Sequence, residues 1–157
     1  MKLHLIRHAK TEVQSDTGQD FDRCLTERGK AQAKDLRDFL KNKLETKPNT
    51  WYSAAKRTTQ TWSIIRNGFT PNSVTALQEL YLCEKQVFLQ KIWADTGMED
   101  ILIVAHNNGI SDLANYFLGT DLVMKTGEYL CLEFEIDQWV EASMDMATLS
   151  DRFRSEA

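Results

Sequence analysis

Proline is almost missing from this sequence: Pro48 and Pro71 are the only two in 157 residues. With so few, and with no repeat or biased stretch elsewhere, no low-complexity segment is expected. Cysteine is scarce as well. Cys24, Cys83 and Cys131 lie far apart and none sits in a CxxC pair. That pattern argues against a disulfide frame and for reduced thiols in the cytoplasm. Long apolar runs are missing: nothing approaches a transmembrane span, and the opening MKLHLIRHAK is too short and too interrupted for a signal peptide. Excess positive charge is missing too. Nineteen basic against 23 acidic residues leave a net charge of −4. A basic stripe for nucleic acid, or a basic face for an anionic membrane, is therefore not expected.

What is present is a regular alternation of short apolar runs and helical patterns. Residues 2–7 carry Leu3, Leu5 and Ile6 and read as a buried strand ending at Arg7-His8. Residues 9–24 are polar and read as a loop. Thr26 is an N-cap candidate for a helix to about Leu44, with Ala33, Leu36, Leu40 and Leu44 at helical spacing. Pro48-Asn49 ends it. Short strands are expected at 50–52 and 74–77, and helices at about 55–66, 84–95 and 110–118. Ile101 to Ala105 is the strongest strand signal, an apolar run suited to cover on both faces, and His106 follows it directly. In residues 129–136, Leu130, Leu132, Phe134 and Ile136 alternate with polar positions that include Glu133 and Glu135. That predicts a half-exposed strand at a sheet edge. The pattern after Trp139 is less regular.

Strands alternating with helices imply an α/β fold with a parallel sheet. Ligands in such sheets bind beyond the carboxyl ends of the strands. Two of the best strands end at histidines, His8 and His106. If those strands are neighbours, both imidazoles share one crevice.

Around them stand Arg7, Arg57 in the first turns of a helix, and Arg23 in the loop before Thr26. This is the residue set phosphoryl transfer needs: a nucleophile, and donors that spread charge over the phosphoryl oxygens. A neutral imidazole serves as nucleophile. Guanidinium groups bind phosphate oxygens bidentately and stay charged. A second histidine, when protonated, adds a further donor. No carboxylates flank His8 or His106 closely, as a dinuclear metal site would need.

These segments carry a family resemblance. Leu5-Ile-Arg-His-Ala-Lys10 is similar to the Arg-His-Gly signature of the histidine phosphatase, or phosphoglycerate mutase-like, superfamily. Leu25-Thr-Glu-Arg-Gly29 resembles its helix start, Ser53 to Thr61 its S-x-x-x-R-A-x-Q-T segment, and Val104-Ala-His-Asn107 its second-histidine motif. The order matches over nearly the whole chain. The shortness of the chain, Asp20 to Thr26, and Leu80-Tyr81 resemble the SixA branch of phosphohistidine phosphatases. Ala9, Cys24, Ala54 and Thr58 depart from the common choices, and none removes a charged member of the set.

The resemblance implies a phosphoglycerate mutase-like three-layer αβα sandwich over residues 1–157, mostly parallel with an antiparallel edge strand. It implies His8 as phosphorylated nucleophile, Arg7 and Arg57 as clamps, His106 completing the pocket, and Arg23 as a substrate contact. No metal or organic cofactor is implied. The expected partner is a phosphorylated protein or a small phosphorylated substrate. Glu79 and Asp20 both stand as candidates for the general acid. A salt bridge from Arg23 to Asp20 or Asp22 is the alternative to its phosphate contact. Phosphatase action on small monoesters, or phosphate binding without turnover, are the alternatives to a protein phosphohistidine phosphatase. His4, the cysteines, the tryptophans and Tyr81 are expected to serve packing.

Overall fold

The computed structural model describes residues 1–157. Its ten main elements are β1 (Lys2–Arg7), α1 (Glu27–Lys43), β2 (Asn49–Ser53), α2 (Lys56–Ile65), β3 (Ser73–Leu77), α3 (Lys85–Ala94), β4 (Ile101–Ala105), α4 (Gly109–Leu118), β5 (Tyr129–Glu133) and β6 (Thr148–Phe153). They build one six-stranded sheet in the order β3-β2-β4-β1-β5-β6. The first four strands of that order are parallel, β5 runs antiparallel to β1, and β6 pairs antiparallel with β5.

The alternation of side chains along each strand sorts the core into two layers. Leu3, Leu5, Ile101, Ile103, Leu130 and Leu132 face α3 and α4, where Phe88, Ile92, Leu113 and Phe117 meet them. Ile6, Leu102, Val104, Tyr129 and Cys131 face α1 and α2, against Leu36, Leu40, Trp62 and Ile65. Each fully buried Leu or Ile contributes about 1.5–3 kcal/mol from removal of apolar area from water. The sheet is therefore the middle of three layers.

Helix α1 begins where the sequence places it. Thr26 is its N-cap, and the Thr26 hydroxyl accepts the Gly29 N–H at 2.9 Å. The following turn passes so close to the loop after β1 that only glycine fits at position 29: a Cβ there would lie 2.0 Å from the Lys10 carbonyl oxygen.

The antiparallel margin differs from the expectation for residues 129–136. The strand β5 stops at Glu133 and lies inside the sheet, between β1 and β6. Glu133 is the one exposed residue of β5. Tyr129 and Cys131, on its supposedly open face, are buried against the α1 layer. The edge is β6, formed by the chain after Trp139. Its outermost position explains its weak signal, since most of its side chains face water. This last strand carries Arg152, and Arg154 follows it. Both point their Nε atoms at the fully buried Glu128 carboxylate, at 2.5 and 3.0 Å. The Glu128 carbonyl in turn accepts the Arg7 N–H at 3.1 Å.

No helix is long and apolar enough to cross a membrane.

Candidate active site

The two strands that end in histidine are neighbours. In the β1–β4 register Arg7 stands opposite Ala105, so the next residues, His8 and His106, leave the sheet side by side. The chain after β1 continues to α1 on one face, and the chain after β4 to α4 on the other. That divergence opens a crevice beyond the carboxyl ends of the two strands. The imidazole centroids are 5.2 Å apart.

A cavity of about 320 Å³ occupies the crevice, and its walls include Arg7, His8, Arg23, Arg57, His106 and Asp20. All five site residues expected from the sequence thus line one space.

His8 is buried, and its Nδ1 lies 2.8 Å from the Ala9 carbonyl oxygen. A carbonyl only accepts, so Nδ1 carries the proton and Nε2 keeps its lone pair. Burial pushes the His8 pKa down to about 3. The Ala9 hydrogen bond opposes that shift, and the Arg57, Arg7 and Arg23 guanidiniums reinforce it. The ring is therefore neutral at physiological pH and equipped to attack an electrophile.

His106 is also held down to about 3, by burial first and then by His8 and the arginines. The condition set for a cationic donor, protonation of His106, is therefore not met in the free protein. Its Nε2 lies 2.7 Å from the Ser53 hydroxyl. That hydroxyl also accepts the Ala55 N–H at 3.4 Å. Ser53 thereby fixes the orientation of the His106 ring, a role not read from the sequence.

The arginines are held from behind. Arg7 donates from Nη1 to the Met124 carbonyl at 2.8 Å, and the Asn107 amide donates to the same oxygen at 3.0 Å. Arg57 donates from Nη1 to the Asp20 carbonyl at 2.8 Å and from Nη2 to its carboxylate at 3.0 Å. Three buried nitrogens of the crevice residues have no hydrogen-bond partner in the protein: Arg7 Nε, Arg57 Nε and His106 Nδ1. Unpaired buried donors are costly, and an anion among them relieves that cost.

The polar residues after Arg57 tie the cavity wall together. Gln60 accepts the Leu25 N–H through its side-chain oxygen at 2.7 Å. The Thr61 hydroxyl accepts the Ala9 N–H at 3.1 Å and donates to the Arg57 carbonyl at 2.8 Å. The Gln-Thr pair of the motif thus fastens α2 to the backbone on either side of the loop that follows His8.

Two readings need correction. Glu79 is not in the crevice. It pairs with Lys91 at 2.6 Å and borders a different cavity, beside Trp51. Tyr81 does more than pack. Its hydroxyl donates to the Asp20 carboxylate, and its ring meets His106 edge-on at 5.6 Å. A single Tyr in a loop carries no signal for this, because its partners lie 61 and 25 residues away. Arg23 forms the salt bridge given as its alternative reading, with Asp20 at 3.0 Å, and it borders the cavity.

Asp20 is the only carboxylate in the cavity wall. The Tyr81 hydroxyl, ahead of the two arginines, holds its pKa down to about 2 against the opposing effect of burial. It is ionised at neutral pH and carries no proton to give. No group of three or more His, Cys, Asp or Glu side chains is arranged to hold a metal ion.

His4 lies apart from this crevice. Its Nδ1 is 2.8 Å from the Tyr129 hydroxyl, and Asp100 is 3.7 Å from its Nε2.

The family model of the histidine phosphatase superfamily (branch 1) matches residues 3–84. No curated protein matches the sequence. Among solved structures, the SixA protein from Agrobacterium tumefaciens superposes with a TM-score of 0.84 at 23% identity, over 98% of this chain and 97% of that one. The protein histidine phosphatase SixA complexed with tungstate gives 0.83 at 18% identity, over 98% and 97%. The alpha-ribazole phosphatase from Shigella flexneri gives 0.61 at 18% identity, over 94% and 96%. At these identities the likeness is one of fold.

Proposed function

The chain belongs to the histidine phosphatase superfamily, branch 1, and is a phosphatase; we propose that its substrate is phosphohistidine on a cytoplasmic protein, hydrolysed through a phosphorylated His8. The observation that supports the substrate assignment is that the only carboxylate bordering the crevice, Asp20, is committed to Arg57, Arg23 and the Tyr81 hydroxyl, contacts that favour its ionised form. An alkoxide leaving group needs a proton from the enzyme, and general acids typically contribute 10²–10⁴-fold. A phosphorylated imidazole whose other ring nitrogen carries a proton departs as neutral imidazole and needs none.

In the first step the Nε2 lone pair of His8 attacks phosphorus. The bond from phosphorus to the substrate nitrogen breaks, and its electrons stay on the departing ring. Arg7, Arg57 and His106 spread the charge of the phosphoryl oxygens. In the second step a water attacks phosphorus, the bond to His8 Nε2 breaks, and inorganic phosphate leaves. Negative charge gathering in the crevice during both steps draws protons toward His106, whose pKa rises as the anion offsets the arginines. The free thiols Cys24, Cys83 and Cys131 agree with a reducing compartment.

The test is a comparison of kcat/KM for a phosphohistidine peptide and for a chromogenic phosphate monoester, with His8→Ala as control. The peptide is expected to lead by about a hundredfold or more, the general-acid contribution denied to the monoester. His8→Ala should abolish both activities. A preference for the monoester would reject the assignment.

A further inference from the structure

The crevice that holds His8 is small, but it does not end at its own mouth. Val13, Asp20 and Arg23 are shared with a second, more open concavity of about 570 Å³, formed by the loop of residues 13–23. Apart from Val13 its lining is polar, with Gln14, Ser15 and Gln19 offering amide and hydroxyl groups. The two spaces adjoin across these shared residues, and together they exceed what a phosphorylated side chain requires.

Two apolar side chains stand at the mouth of the inner crevice, Val13 and Leu82. Val13 is 87% exposed and Leu82 52% exposed. Leu82 also has a φ of +50°. A bulky side chain rarely occupies that left-handed region, and glycine or asparagine would occupy it at lower cost. Strained backbone of this kind gathers where a side chain is held for a purpose other than folding. The charge around the cleft is also one-sided. Its walls carry Arg7, Lys10, Arg23 and Arg57 against the single carboxylate Asp20, in a chain whose net charge is −4.

We propose that Val13 and Leu82 form an apolar lip that docks an acidic polypeptide segment beside its phosphohistidine, while the outer concavity takes the chain leading away from it. This rests on the phosphohistidine reading above and extends it from the reacting group to the polymer that bears it. The lip supplies dry contact next to the reacting imidazole. The amides and hydroxyls of the loop match the hydrogen-bonding groups of a peptide backbone. Lys10 and Arg23 complement acidic side chains on the segment.

The experiment uses two probes: free phosphohistidine, and a synthetic acidic peptide with leucine on both sides of one phosphorylated histidine. The quantity read is selectivity, kcat/KM for the peptide divided by kcat/KM for the free amino acid. Val13→Ser and Leu82→Gly are each expected to lower this ratio about tenfold, mainly through KM for the peptide. Leu82→Gly keeps the backbone conformation and removes only the side chain, so its melting temperature should hold or rise while selectivity falls. An unchanged ratio in both variants, with or without a parallel loss on both probes, overturns the docking lip alone. A wild-type protein inert toward both probes overturns the phosphohistidine reading and the lip with it.

Discussion

Asp20 grips Arg57 twice, through its backbone carbonyl and through its carboxylate, at 2.8 and 3.0 Å. The same carboxylate holds Arg23 and the Tyr81 hydroxyl. Asp20 is thus an orienting anion for the guanidinium it faces, and under the proposed function it would compete with phosphate for that guanidinium. Asp20→Asn keeps an oxygen for Arg57 and removes the charge. Inhibition by inorganic phosphate should tighten by a factor of about three to ten, the size expected of one partly screened charge. Competition kinetics at low and high salt would measure it. Weaker phosphate binding in the variant would mean that orientation outweighs repulsion.

Ser53 acts on the reacting groups only through His106. Ser53→Ala frees the His106 ring to turn and leaves its Nε2 unpaired. The expected loss is about 1–2 kcal/mol in kcat, with KM little changed, as for one buried hydrogen bond. Ser53→Thr should recover part of it. Equal losses in kcat and KM, with no recovery by threonine, would point to a packing role instead.

The three histidines should titrate apart. His8 and His106 both sit at about 3, whereas pairing with Asp100 and Cys131 raises His4 above its ordinary value in spite of burial. In proton NMR of the free protein, His4 should titrate above pH 6.5, and the other two should stay neutral down to pH 5. A midpoint near 6.5 for either crevice histidine would contradict this.

The same depression has a stability consequence with a definite sign. The unfolded chain takes a proton on position 8 near pH 6.5, while the folded chain waits until about 3. Between these values the unfolded state binds more protons, so stability falls as pH falls through that window. At pH 5 this penalty is about 2 kcal/mol for His8. His8→Asn should narrow the stability difference between pH 8 and pH 5 by about that amount in urea titrations. An unaltered pH dependence would argue that His8 is not desolvated.

Gly29→Ala probes the close approach of α1 to the loop after His8. The added Cβ meets a backbone oxygen, which cannot rotate away. A loss of about 2–3 kcal/mol is expected from overpacking, together with reduced turnover because Lys10 lies two residues from His8. A denaturation midpoint equal to wild type would show that the loop yields.

The legible parts of this protein were those written in local pattern. Thr26 followed by helically spaced Ala33, Leu36 and Leu40 marks α1 nearly to the residue. The convergence of His8 and His106 followed from two strand ends and the parallel-sheet rule. Long-range relationships were not legible. Glu133 and Glu135 imitate the open face of an edge strand, yet β5 ends at Glu133 and Tyr129 and Cys131 are covered. Glu79 and Asp20 are equivalent as carboxylates in sequence, and only the chain path turns one toward the crevice and the other toward Lys91. Ser53 belonged to a matched motif, but its task depended on a neighbour 53 residues away.

The outermost strand bears on the chemistry at a distance. Glu128 is buried beside Arg7, and Arg152 and Arg154 neutralise it. A chain cut before Arg152 would strip both partners from a fully buried carboxylate. Arg7, whose guanidinium already feels that charge, would be drawn into balancing it. The far margin of the sheet thus reaches the crevice, and damage there should register in anion capture as well as in stability.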